Sequence, residues 1–220
     1  MSVETIRVDL GRDLLRANDQ VAAENRAACA ATGTRVLNLM SSPGAGKTTL
    51  LEAAIPLLGR LRVGVIEGDL FTDRDARRIA RLGVRAVQIN TVGACHLDAR
   101  MVARALPALP LGELDLLCIE NVGNLVYPAG FDLGEDGRVA VLSVAEGSDK
   151  PVKYPALFRT AQAVVINKLD LLPHSDFDLP EVLSVLRETN PAAAVFPVSA
   201  RTGEGMEAWC RWLTDFAGER

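Results

Sequence analysis

The chain has 220 residues, 49% of them hydrophobic, and a formal net charge of −4. This length suits one α/β domain, with enough apolar content to fold without a disulfide or metal staple. The charge balance excludes a broad nucleic-acid footprint, and no apolar leader or membrane-spanning run is present, so a soluble, cytoplasmic protein is expected.

Residues 4–31 lack proline and are rich in Ala, Leu, Arg, Glu and Asn, with Gly33 as a stop. They predict an N-terminal helix, mainly 12–31, within an extension over 1–33 that packs on a domain over 34–220. Cys29 in this helix reads as a small apolar filler. The four cysteines (Cys29, Cys95, Cys118, Cys210) form no C-x-x-C pair, which suits free thiols in a reducing compartment.

From Arg35 onward, strands near 35–41, 62–67, 84–89, 114–120, 138–144, 162–167 and 193–198 alternate with helices near 47–58, 73–82, 95–106, 153–160, 178–189 and 204–217. That alternation predicts an α/β fold: a mostly parallel seven-stranded sheet covered on both faces, with ligands at the carboxyl ends of its strands.

The first strand, Val36 to Met40, breaks into Ser41-Ser42-Pro43-Gly44-Ala45-Gly46, then Lys47-Thr48-Thr49 and a helical stretch. Strand, glycine-containing loop, Lys-Thr and helix is the layout of a phosphate-binding loop (P-loop). Small residues at Ser42, Gly44, Ala45 and Gly46 let backbone N–H groups converge on phosphate oxygens at a helix start. Lys47 would reach the β/γ-phosphates, and the Thr48 hydroxyl would hold Mg²⁺, with Thr49 beside it. Ser41 stands where the strict pattern has Gly.

The second strand ends in Glu67-Gly68-Asp69. Asp69 reads either as a Mg²⁺ ligand, direct or through water, or as a turn aspartate. The following FTDRDARRI, with Asp73 and Asp75, reads equally as a switch segment or a solvated helix start. In Gly93-Ala94-Cys95-His96, thiol and imidazole suit Zn²⁺ or Ni²⁺ but make only half a tetrahedral site. The alternative is a helix N-terminus with a small Cys and a surface His. His174, in a polar loop, reads as exposed.

The fourth strand, with Cys118 in its apolar run, ends at Glu120 before Asn121-Val122-Gly123-Asn124. An acid followed by Gly suits a γ-phosphate sensor: Glu120 faces Mg²⁺ or water, and the Gly123 N–H follows the phosphate. The sixth strand ends in Asn167-Lys168-Leu169-Asp170, which matches the guanine motif N-K-x-D about 120 residues past Lys47. The Asp170 carboxylate accepts from guanine N1–H and N2–H₂, a pair adenine cannot offer. Asn167 would bond N7, Lys168 would lie along the ring, and backbone at Ser199-Ala200 would donate to O6. Mispairing leaves buried polar groups unsatisfied, so GTP and GDP are expected over ATP.

The segments SSPGAGKTTLLE, VIEGDLFTDRDA, QINTVGACHLDA, IENVGNLVYPAGFDLGE and INKLDLL resemble those of the hydrogenase nickel-incorporation GTPase family (hydrogenase maturation factor B), from about Val36 to Gly205. The resemblance implies a dimerising P-loop GTPase of low turnover that hands nickel to the large subunit of [NiFe] hydrogenase, with a second accessory protein as partner. It also implies Ni²⁺ or Zn²⁺ at Cys95 and His96 in a subunit interface. A further family Cys is replaced here by Tyr127, a poor ligand for a borderline metal. The N-terminal cysteine motif and histidine-rich stretch of some members are not in the sequence, so nickel storage and a tight N-terminal site are not expected. In a two-fold dimer, Cys95 and His96 from each copy would supply two thiolates and two imidazoles. The alternatives are a urease-type accessory GTPase, a GTP-gated scaffold without metal transfer, and an ATP-dependent kinase. GACH and NLVYPA disfavour the first, and Asn167–Asp170 disfavour the last.

Overall fold

The computed structural model describes residues 10–70 and 73–218. Residues 1–9 of the expected extension, Phe71 and Thr72 of FTDRDARRI, and 219–220 lie outside them. Seven strands, β1 (Arg35–Ser41), β2 (Val63–Asp69), β3 (Arg85–Asn90), β4 (Leu116–Glu120), β5 (Gly137–Ser143), β6 (Ala163–Asn167) and β7 (Ala194–Pro197), form one sheet. Its order is β3-β2-β4-β1-β5-β6-β7, and every pairing is parallel. The chain leaves β1 for β2, beyond β4 on one side, and later returns to β5 on the other. That reversal opens a crevice at the carboxyl end of β1.

Eight α-helices cover the sheet among the described residues: α1 (Leu10–Thr32), α2 (Lys47–Ala54), α3 (Arg74–Ala80), α4 (Ala99–Ala105), α5 (Lys150–Lys153), α6 (Pro155–Arg159), α7 (Leu179–Thr189) and α8 (Met206–Gly218). Alternate side chains of each strand feed opposite faces. Leu37, Leu39, Val139 and Val141 join Leu50 and Leu51 of α2 and Trp209 and Leu213 of α8 in one cluster. On the other face, Met40, Ala140 and Leu142 meet Leu157, Phe158, Val182 and Leu186, while Val36, Ile66 and Leu117 meet Cys29, Val102 and Ala105. A sheet buried on both sides explains why β1 reads as a continuous apolar run rather than an alternating one. No helix among the described residues is long and apolar enough to cross a membrane.

Three of the expected helices depart most from expectation, each for a local reason. α2 stops at Ala54 and tightens into a 3-10 turn over Ile55–Leu57, because Pro56 has no N–H to donate. The stretch expected as one helix near 153–160 is two short ones, split at Tyr154 before Pro155. The helix expected from residue 95 begins at Ala99, since Asp98 takes the N-cap and accepts from the Met101 N–H at 2.8 Å. Cys95 and His96 therefore lie in a turn ahead of α4, not on it.

The N-terminal helix braces that turn. Asn18 and Asn25 of α1 are buried. The Ala99 N–H donates to Asn18 Oδ1 at 2.9 Å, and Asn25 Nδ2 donates to the Ala99 and Leu133 carbonyls at 2.8 and 3.0 Å. Two buried amides thus satisfy the backbone at the start of α4.

Candidate functional site

A cavity of about 440 Å³ opens at the crevice, lined by the loop after β1 and by residues from the ends of β2 and β4. Gly44 and Gly46 have φ of 78° and 96°, in the left-handed region that side chains disfavour. A Cβ at Gly46 would also stand 2.6 Å from Asn167 Nδ2. Lys47 and Thr48 begin α2 and are buried. Lys47 Nζ donates to the fully buried Ser41 Oγ at 2.9 Å and lies 3.9 Å from Glu120 Oε1. The departure at position 41 thus supplies a hydroxyl that holds the lysine.

Glu120 ends β4, where its Oε1 accepts from Thr48 Oγ1 at 2.9 Å. Three residues on, the connection after β4 presses on the phosphate loop. A Cβ at Gly123 would lie 2.7 Å from both Pro43 Cα and Pro43 N, which are backbone atoms that cannot rotate away. Gly123→Ala is therefore expected to lower nucleotide affinity on the order of tenfold, from overpacking of about 1–3 kcal/mol. A fluorescent-nucleotide titration checks this, and unchanged affinity would show that the loop yields.

One carboxylate at the centre was not singled out from the sequence. Glu67 of β2 is the direct register partner of Glu120, and both are buried. Burial, reinforced by the Glu120 charge, pushes the Glu67 carboxyl up to about 11. Burial also raises Glu120, against the pull of Lys47. Glu67 Oε1 and Glu120 Oε2 find no hydrogen-bond partner among the described residues. Two such oxygens beside the Thr48 hydroxyl make a hard, all-oxygen set, the chemistry Mg²⁺ prefers. The sequence holds a local trace of this, an acid on the same strand face as the core residue Val65, but the pairing with Glu120 comes only from the sheet.

Asp69 lies two residues further along β2 and lines the cavity, where its carbonyl accepts from the Thr91 N–H at 3.0 Å. The segment after it divides. Asp75 and Arg78 reach the cavity, with Arg78 donating to Asp75 Oδ1 at 2.9 Å, Glu52 Oε1 at 3.0 Å and Thr49 Oγ1 at 3.1 Å. Asp73 pairs instead with Arg77 at the surface. Neither Arg78 nor Glu52 was a sequence candidate.

On the far side of the loop, Asn167 and Lys168 fasten β6 to the phosphate loop. Asn167 Nδ2 donates to the Ala45 carbonyl at 3.1 Å, and Lys168 Nζ donates to the Gly44 carbonyl at 2.6 Å. Asn167 Oδ1 accepts from the Lys168 and Ala200 N–H groups at 2.8 and 3.1 Å. These bonds use one of the two Asn167 amide hydrogens. The Ala200 N–H expected to face O6 is engaged by Asn167, and the Ser199 N–H by the Glu204 carbonyl at 2.9 Å. Asp170 Oδ1 accepts from Ser199 Oγ at 2.6 Å.

Cys95 and His96 are half-buried, with Cys95 Sγ 3.8 Å from His96 Nδ1. The turn before them is closed by Thr91 Oγ1, which donates to the Ala94 carbonyl at 2.7 Å. The His96 ring stacks on Tyr127 (centroids 5.6 Å apart, planes at 19°) and tilts over Phe131 at 4.2 Å. Burial lowers its pKa, which favours the neutral, ligating imidazole. No group of three or more His, Cys, Asp or Glu placed to hold a metal occurs among the described residues. The other cysteines are buried, with the Cys29 and Cys118 thiols pushed up to about 11 and about 12 by burial, and His174 is exposed.

A family profile described as CobW/HypB/UreG, nucleotide-binding domain, matches residues 35–197. The chain is 55% identical to "Hydrogenase maturation factor HypB" of Azotobacter chroococcum mcd 1, over 97% of its own length and 70% of the relative's. It is 52% identical to the protein of that name from Escherichia coli (strain K12), over 91% and 70%. Among solved structures, HypB from Helicobacter pylori in complex with nickel superposes with a TM-score of 0.88 at 40% identity, covering 92% of this chain and 95% of that one. With its parallel sheet, phosphate loop and Cys-His turn in this arrangement, the chain belongs to the HypB family of hydrogenase maturation factors, within the CobW/HypB/UreG nucleotide-binding domains.

Proposed function

We propose that this chain is a GTP-hydrolysing metallochaperone that couples Mg-GTP binding, dimerisation and hydrolysis to nickel delivery during [NiFe] hydrogenase maturation. The observation that carries the reading is that the Cys95-His96 turn and the phosphate loop both contact the connection after Glu120. The family's hydrogenase-maturation role and the nickel in the Helicobacter pylori relative support it.

In this reading Lys47 and the loop amides hold the phosphates, Asp170 selects guanine, and Thr48 and Glu120 hold Mg²⁺ with Asp69 nearby. Bound Mg²⁺ would neutralise charge on the β/γ-phosphates. Glu120 and Gly123 report whether the γ-phosphate is present. Cys95 and His96 supply half of a tetrahedral donor set, and a second copy related by a two-fold axis supplies the rest. Ni²⁺ or Zn²⁺ would then be the cargo, passed with a second accessory protein to the hydrogenase large subunit. Tyr127, half-exposed and without a soft donor, favours the two-copy site over one built in a single chain.

Metal titration alongside oligomer size tests this. With a non-hydrolysable GTP analogue the expected result is one metal per dimer, with much weaker binding in the GDP form. Cys95→Ala is expected to weaken binding at least about a hundredfold, since it removes two of four donors. Undiminished affinity in Cys95→Ala rules out the metal role, and a GTP-gated scaffold becomes the better reading.

A further inference from the structure

Asn121 follows Glu120 directly and is 1% exposed. Its side chain joins three segments. Oδ1 accepts from the Leu97 N–H at 3.1 Å and from the Val122 N–H at 3.0 Å, while Nδ2 donates to Asn38 Oδ1 of β1 at 3.3 Å. Leu97 is the residue after His96, so this amide holds the backbone of the Cys95-His96 turn. Leu97 is also wedged against β2, since a Cβ at Gly68 would lie 2.9 Å from its side chain.

The segment that begins at Asn121 touches both sites along its length. At Gly123 it lies against Pro43 of the phosphate loop. At Tyr127 and Phe131 it packs against the His96 ring. A shift of this segment on loss of the γ-phosphate would therefore move a buried acceptor of the Leu97 N–H and the ring surfaces around His96 together. Leaving that N–H unpaired in the interior is unfavourable, so the turn follows the segment rather than staying behind.

We infer that Asn121 is the positioning residue that transmits nucleotide state to the Cys95-His96 turn, through its hydrogen bond to the Leu97 N–H. The inference rests on the metal-delivery reading above and names its regulation. Asn121 binds neither the cargo nor the guanine base. It sets the ratio between metal affinities in the two nucleotide states. By linkage, the same ratio appears as the effect of metal on nucleotide affinity.

The experiment is a Ni²⁺ titration of the full chain, with a GTP analogue and with GDP, for wild type, Asn121→Ala and Asn121→Asp. Wild type is expected to show a ratio of dissociation constants of at least about tenfold. Asn121→Ala should bring that ratio to within about twofold of one, while each form still binds metal. Asn121→Asp keeps the acceptor for the Leu97 and Val122 N–H groups and should restore most of the ratio. A ratio in Asn121→Ala equal to wild type overturns the inference while leaving the delivery reading intact. A wild-type ratio of one overturns both. Should Asn121→Ala not fold, hydrogen exchange of the wild-type Leu97 amide decides. Exchange that differs between the two nucleotide states supports the inference, and identical exchange overturns it.

Discussion

Asp170→Asn is expected to lower affinity for GTP and GDP on the order of a thousandfold or more, and to create affinity for xanthosine nucleotides. In the proposed guanine site the carboxylate would present two acceptors to N1–H and N2–H₂. Asparagine turns one acceptor into a donor, which then opposes the exocyclic amine of guanine but pairs with the 2-oxo group of xanthine. The effect should be confined to the base. Asp170 Oδ1 is already aligned by Ser199 Oγ at 2.6 Å, while the phosphate-side tethers to Ala45 and Gly44 come from Asn167 and Lys168. Competition between fluorescent GDP and each nucleotide checks the prediction. Equal loss for GTP and xanthosine triphosphate would indicate a collapsed loop instead of a switched base. Adenine nucleotides should remain weak in both proteins, because neither side chain offers the adenine edge a matching pattern.

Glu67→Gln is expected to stabilise the chain in the absence of nucleotide and divalent metal. The Glu67 carboxyl is pushed up to about 11 from 4.5, first by burial and then by Glu120. The folded state therefore keeps a proton that the unfolded chain releases above pH 4.5. Stability falls as pH rises from there toward the folded value, by about 1.4 kcal/mol per pH unit, and the loss is absent below it. At pH 7 the cost is roughly 3 kcal/mol, and glutamine, neutral at every pH, does not incur it. Denaturant titrations with chelator across pH 4.5 to 9 should show wild type and variant converging at the acid end and diverging with alkalinity. A constant gap across that range contradicts a proton held at Glu67. The same substitution is expected to weaken nucleotide binding in Mg²⁺, if the buried oxygens serve the ion. Gained stability together with lost ligand response is the usual trade at a strained functional site.

Much of the fold is legible along the chain, and for one reason. A sheet covered on both faces needs short apolar strands between amphipathic helices, and that pattern is local. The strands expected at 35–41, 138–144 and 162–167 appear as β1, β5 and β6 to within a residue. Helix ends were less legible where one residue outcompetes the pattern: Asp98 caps α4 later than its apolar run suggests, and Pro56 ends α2 early. The phosphate-loop and Asn167–Asp170 readings could be made from the chain alone because each rests on a few consecutive residues.

Side chains brought together from distant parts of the chain were not legible in that way. Glu67 matters because β2 and β4 are neighbours in the sheet and set it opposite Glu120. Arg78 matters because α3 lies beside α2, where Glu52 and Thr49 receive it. Asn121 matters because the turn after His96 returns to the end of β4.

By itself the sequence determined the class of fold and the family, and it pointed to a guanine nucleotide and to Cys95-His96 as a candidate metal-binding pair, since each of these readings depends on residues close in the chain. Only the tertiary structure decided how those sites face one another. Strand order is set by crossover connections and burial, which place Leu97, Gly68, Asn121 and Pro43 in one small region although they are scattered through the chain.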